Sequence, residues 1–313
     1  PTPRGGGIAI VISCLAGLTV LWQMGVLTTS AFYSLIWGGA GIAALGLIDD
    51  VVTARAVYRL LAQILIVTGA LVLLADPASL LLPEGPWILD GWAWVIVAAG
   101  LVWLLNLYNF MDGINGIASV QAIFACFTLY ICTTFIGSGA PLIALTCLVL
   151  AAAALGVLPW NFPKARLFMG DVGSAFLGLM LGLIALQHSA THPAALWMWL
   201  TALSPFWVDA TYTLIQRARR KERLLDAHRQ HAYQILSRRL KSHTKTVRWL
   251  AGLNVLWILP LAALSATHPT QGLWITILCV LPQIAVVDHL KAGTPNQYES
   301  NRTESAGPIA AND

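Results

Sequence analysis

The chain has 313 residues, 58% of them hydrophobic and 10% charged, with a mean hydropathy of +0.72. About a quarter of the residues in a water-soluble domain are charged, so this composition excludes a soluble globule, a disordered chain and a nucleic-acid-binding protein. The net charge of +4 is small, and what informs is where the charges fall.

A helix needs about 20 apolar residues to cross the hydrocarbon of a bilayer. Ten runs meet that need: 8–27, 30–48, 59–75, 92–108, 118–136, 141–159, 173–188, 195–215, 249–264 and 273–290. The first, preceded by Arg4, could alone be a signal peptide, and the run from 173 is short and rich in glycine. The other runs set the class: an all-α polytopic membrane protein of about ten transmembrane helices. It forms one helical domain over 1–290, and the polar tail 291–313 reads as disordered. The chain opens Pro1-Thr2-Pro3-Arg4 without an initiator Met, so an upstream stretch is expected. Cys14, Cys126, Cys132, Cys147 and Cys279 form no C-x-x-C pair and read as small buried hydrophobes.

Lys and Arg occur only on alternate connections, the positive-inside pattern. It assigns loops 49–58, 109–117, 160–172 and 216–248 to the cytoplasm. The last loop carries eleven Lys/Arg against Glu222 and Asp226, which suits anionic headgroups or an anionic ligand.

Five carboxylates, Asp49, Asp50, Asp112, Asp171 and Asp209, lie at the cytoplasmic ends of apolar runs, where ionisable groups are costly and mark function. Asp49 and Asp50 end a helix at its negative dipole end, so both repulsion and macrodipole oppose ionisation. Arg55 and Arg59 can relieve part of that as a plain ion-paired end. A divalent cation relieves it better, and oxygen-only ligands suit Mg²⁺ or Mn²⁺. Next comes Asn106-Leu-Tyr-Asn109-Phe-Met-Asp112-Gly113-Ile-Asn115-Gly116, in which Asn106, Asn109 and Asp112 recur at i, i+3, i+6 and can line one face of a helix end. A tight turn alone does not call for three amides. Phe168-Met-Gly-Asp171-Val-Gly-Ser174, preceded by Lys164 and Arg166, sits at a helix N-terminus, where free N–H groups favour anions, although Asp171 could simply be an N-cap. His228-Arg229-Gln230-His231 lies in the basic loop. Asp209 either binds substrate or pairs with Arg217. Carboxylates for a hard cation beside basic groups for phosphates, all at one face, describe phosphoryl transfer, and the recess among helix ends suits a lipid phosphate.

Taken together, Pro1-Thr-Pro-Arg-Gly-Gly-Gly7, Leu47-Ile-Asp-Asp50, Asn109-Phe-Met-Asp-Gly113, Phe168-Met-Gly-Asp-Val-Gly-Ser174, Asp209 and the His231 loop resemble the polyprenyl-phosphate N-acetylhexosamine-1-phosphate transferases, glycosyltransferase family 4. That family has about one more N-terminal helix. The resemblance implies a Mg²⁺-dependent transfer of N-acetylhexosamine 1-phosphate from a UDP-sugar to undecaprenyl or another polyprenyl phosphate, releasing UMP. It implies catalytic roles for Asp49, Asp50 and Asp112, a metal ligand in Asp171, and substrate contacts from Asn109, Asn115, Lys164, Arg166, Arg229 and His231. The implied partners are the lipid, the nucleotide sugar and the membrane, and a homodimer is compatible with them. Asn115 replaces the second Asp of many members, and Tyr233 and Gln234 replace two further histidines. That form is similar to a bacterial branch initiating O-antigen of lipopolysaccharide. The alternative from another class is an ion-coupled secondary transporter with buried carboxylates, although such sites belong near the bilayer midplane and often come with inverted repeats.

Overall fold

A computed structural model describes residues 2–52, 55–74, 78–135, 141–224 and 228–295. The helices are α1 (Gly6–Gln23), α2 (Thr29–Val52), α3 (Ala56–Leu74), α4 (Ala93–Phe110), α5 (Ile117–Phe135), α6 (Pro141–Asn161) and α7 (Gly170–Thr191), followed by α8 (Ala195–Ala202) and α9 (Ser204–Arg219). After them come α10 (Ala232–Leu240), α11 (His243–Leu253), α12 (Leu259–Thr267) and α13 (Gly272–His289). An antiparallel hairpin, β1 (Ser79–Leu82) and β2 (Gly85–Ile88), joins α3 to α4. Nine helical segments among the described residues are long and apolar enough to span a bilayer, and the chain is an all-α, multi-pass membrane protein. Helices dominate because lipid offers the backbone no hydrogen-bond partner.

The run 195–215, expected as one span, is two helices broken at Leu203. Pro205 in the first turn of α9 has no N–H to carry the α8 ladder onward. A second proline, Pro260, follows a π-helical turn at Asn254–Ile258 that links α11 and α12 into one span. The expected loop 216–248 is largely helical, taking in the end of α9, all of α10 and the start of α11. The ordered chain runs past 290 to 295, where the Gly293 N–H donates to the Gln230 carbonyl at 2.9 Å. The rest of the tail expected to be disordered, 296–313, lies outside the described residues.

The glycine-rich run at 173 proves to be the centre of the bundle. α7 is buried along nearly its whole length against α1, α2, α4 and α8. Its glycines are what allow this, since van der Waals contact between close backbones is the main attraction between helices in lipid. A Cβ on Gly178 would lie 2.9 Å from the Leu105 Cα of α4, and one on Gly46 of α2 would lie 2.7 Å from the Val172 Cα. Polar ties reinforce the packing. Gln63 of α3 and Asn106 of α4 exchange amide hydrogen bonds at 2.7 and 3.2 Å.

Candidate functional site

The end of α2, the loop after α4, the end of α6 and the start of α7 enclose a cleft of about 280 Å³. Its lining brings together Asp50, Asn109, Asp112, Asn115 and Asp171 from the sequence motifs, and adds Arg4, Asn161 and His243.

Asp49 and Asp50 are adjacent but diverge. Asp49 turns toward α3, where its Oδ2 accepts from Arg59 Nη1 at 2.6 Å. Asp50 faces the cleft, 3.9 Å from Arg4 Nη1. Its Oδ2 lies 2.8 Å from where a Cβ on Gly170 would stand, and Gly170 has φ +75°, so two constraints call for glycine there.

Asp112 follows the end of α4, with its N–H on the Asn109 carbonyl at 3.1 Å. Burial, and next the charge of Asp171, push its carboxyl up to about 8. The loop carrying it is pinned from two sides. The Tyr233 hydroxyl donates to the Phe110 carbonyl at 2.9 Å, and the Gly116 N–H donates to Asn161 Oδ1 at 2.5 Å. Asn115 Nδ2 donates to the Pro163 carbonyl at 3.2 Å. Asn109 Oδ1 accepts from the Ser174 hydroxyl at 3.2 Å, which ties α4 to α7.

Asp171 stands in the first turn of α7, with Met169 rather than Asp171 at the cap position. The loop before it is held by the N-terminal segment. Phe168 N–H donates to the Pro3 carbonyl at 2.9 Å, Gly6 N–H to the Phe168 carbonyl at 3.0 Å, and Gly7 N–H to the Met169 carbonyl at 2.9 Å.

The other sequence candidates lie off the cleft lining. Asn106 is engaged with Gln63. Lys164 and Arg166 are exposed on the preceding loop, and Arg229 is exposed in the basic loop. His231 is buried between the rings of Phe110 and Tyr233, with Nδ1 3.6 Å from Asp209 Oδ1. Asp209 accepts from the N–H groups of Ala232 and Tyr233 at 2.8 and 2.9 Å, and so satisfies the start of α10. Arg217 pairs with Glu222 at 2.8 Å instead of with Asp209.

Arg4, Asn161 and His243 were not singled out from the sequence. Asn161 ends an apolar run as an isolated polar residue, which was the available signal. The cleft's donors are carboxylate and amide oxygens, the set that hard divalent cations prefer. Among the described residues no three His, Cys, Asp or Glu side chains form a closed metal cage.

An apolar groove of about 700 Å³ runs along α4, lined by Leu101, Leu104 and Leu107 together with Trp207 and Ile284. It reaches to within two residues of Asn109 in sequence.

A model described as glycosyl transferase family 4 matches residues 32–189. The decaprenyl-phosphate N-acetylglucosaminephosphotransferase of Mycolicibacterium smegmatis is 30% identical over 282 residues, covering 79% of this chain and 68% of that protein. A probable undecaprenyl-phosphate N-acetylglucosaminyl 1-phosphate transferase of Bacillus subtilis is 28% identical over 253 residues, with coverage of 78% and 68%. The phospho-N-acetylmuramoyl-pentapeptide-transferase of Moorella thermoacetica is 33% identical over 200 residues, with coverage of 59% and 61%. With the Mycobacterium leprae relative the match spans 49% of that protein's length.

Proposed function

The chain belongs to glycosyl transferase family 4, and from that membership we propose that it moves an N-acetylhexosamine 1-phosphate from a UDP-sugar onto a polyprenyl phosphate. UMP is released, and the lipid-linked sugar starts a cell-envelope glycan, with O-antigen the branch that the Tyr233-Gln234 form favours. The observation that carries this reading is the gathering of Asp50, Asp112 and Asp171, from three distant segments, in one cleft.

In this mechanism the isoprenoid tail lies in the groove along α4, entering sideways between helices, and its phosphate stands at the end of α4. A phosphate oxygen of the lipid attacks the β-phosphorus of the UDP-sugar as the bond to the α-phosphate oxygen breaks. Asp50 takes the proton of the incoming phosphate, a role open to it because Asp49 and not Asp50 is engaged by Arg59. Asp49 holds α3 against α2 and keeps its neighbour aimed. Asn109 and Asn115 orient the nucleotide diphosphate, and Asn161 holds the turn after Asp112. Lys164, Arg166 and Arg229 are exposed on the loops before α7 and α10 and draw the anionic donor in through the field of their charges, while buried His231 packs on Phe110, two residues before Asp112. Asp171 would hold Mg²⁺ (Mn²⁺ has the same donor preference), which when bound neutralises charge on the diphosphate.

The test is UMP release by purified full chain from a panel of UDP-N-acetyl sugars, with the product lipid weighed by mass spectrometry. Release that depends on added polyprenyl phosphate is expected with at least one donor. No release with any donor overturns the reading.

Asp112 gives a second test. Its folded carboxyl titrates near 8, against about 4 in an unfolded chain. A raised carboxyl stabilises the fold fully below the unfolded value and loses that contribution as pH rises through the folded one. With a chelator present, the unfolding temperature therefore falls between about pH 4 and pH 8 through this group, and Asp112→Asn flattens that slope.

A further inference from the structure

We propose that Arg4 is a substrate-contacting residue whose guanidinium leaves Asp50 to grip the diphosphate of the nucleotide donor. The proposal rests on the function given above and adds a residue to it.

Three observations lead there. Arg4 is the one Lys or Arg among the residues lining the cleft, whose other charged side chains are Asp50, Asp112 and Asp171. A dianionic diphosphate entering beside three carboxylates is favoured by a protein cation in addition to a bound metal, and Lys164, Arg166 and Arg229 stand outside that lining. Second, the Arg4 backbone is fixed while its side chain is free. Residue 4 forms a parallel bridge with Phe168, flanked by the bonds of Pro3, Gly5, Gly6 and Gly7 to 168–169, yet its side chain is 71% exposed. Third, its contact with Asp50 is loose, 3.9 Å against 2.6 Å for Arg59 with Asp49. Asp50 is 14% exposed, but at 3.9 Å from a largely solvated guanidinium the pair is loosely held, and phosphate oxygens can take its place. The guanidinium fork matches phosphate with two parallel N–H donors. The exchange also releases Asp50 for its own task at the moment the donor arrives.

The experiment compares wild type, Arg4→Ala and Arg4→Lys in the purified full chain, using UDP and uridine as binding probes and the active UDP-sugar and polyprenyl phosphate for turnover. Losing a hydrogen bond to a charged group weakens binding by about tenfold to a hundredfold. Arg4→Ala should therefore weaken UDP and raise KM for the UDP-sugar by that factor, while uridine affinity and KM for the lipid phosphate stay where they were. Arg4→Lys, which keeps the charge but not the fork, should fall between. Because the strap is made of backbone bonds, Arg4→Ala leaves it intact. An unchanged UDP affinity overturns the proposal, as does a loss shared equally by UDP, uridine and the lipid. Wild type that binds neither UDP nor uridine overturns the functional reading instead.

Discussion

Asp171→Asn is expected to lower kcat by about three orders of magnitude, the scale seen when an electrostatic stabiliser of a transition state is removed. It should do so without loosening the fold. Asp171 shares its cleft with Asp50 and Asp112, and its charge is one of the causes holding the Asp112 proton on. An amide of the same shape removes that repulsion, so the inactive variant should melt at or above the wild-type temperature, and Asp112 should titrate lower. Sites that concentrate like charge for chemistry give up stability for it. The contrast is Asp49→Asn. Asp49 is spent on Arg59, so its loss should lower kcat less than the loss of Asp50 or Asp171. Steady-state kinetics and melting curves on the three variants check this, and full turnover in Asp171→Asn at saturating Mg²⁺ would remove that residue from the metal role.

The second large effect comes from one methyl group. A Cβ on Gly7 would stand 2.3 Å from the Gly173 nitrogen and 2.8 Å from the Met169 carbonyl oxygen. Both neighbours are backbone, so no rotamer relieves the clash, and α1 must move away from α7. Gly7→Ala should cost about 1–3 kcal/mol, the usual penalty of overpacking. Activity should fall with it, because Gly173 is two residues from Asp171 and the Gly7 N–H supports Met169. Gly156→Ala is the control, since nothing lies within 4 Å of its added Cβ. It should leave melting temperature and turnover unchanged.

Much of this was legible before any coordinates. Apolar length alone located the spans, because lipid admits little besides helices. Charges at the ends of those runs located the acids that meet in the cleft, because burying a carboxylate is costly, although Asp209, found the same way, serves the start of α10 instead. Three features were not legible, each for a physical reason. The break at Leu203 lies within an unbroken apolar run, and a proline permits a kink as readily as a stop. Lys164 and Arg166 are close to Asp171 in sequence, but their loop folds back on Trp160, whose carbonyl accepts from the N–H groups of Arg166 and Leu167 at 2.7 and 3.1 Å. Arg4 and His243 come to the cleft from opposite ends of the chain, and no local spacing could have joined them to it.

The β1–β2 hairpin has a consequence of its own. It closes the end of the α4 groove farthest from the cleft, with Leu80 and Leu89 in the lining. It is bolted there by Ser79 to the Ser189 carbonyl at 2.7 Å, Leu81 to the Pro193 carbonyl at 3.1 Å, and Trp197 to the Leu81 carbonyl at 2.5 Å. On the function proposed above, a tail lying in this groove meets the hairpin at that end and leaves sideways between helices, its head group still at the other end of α4.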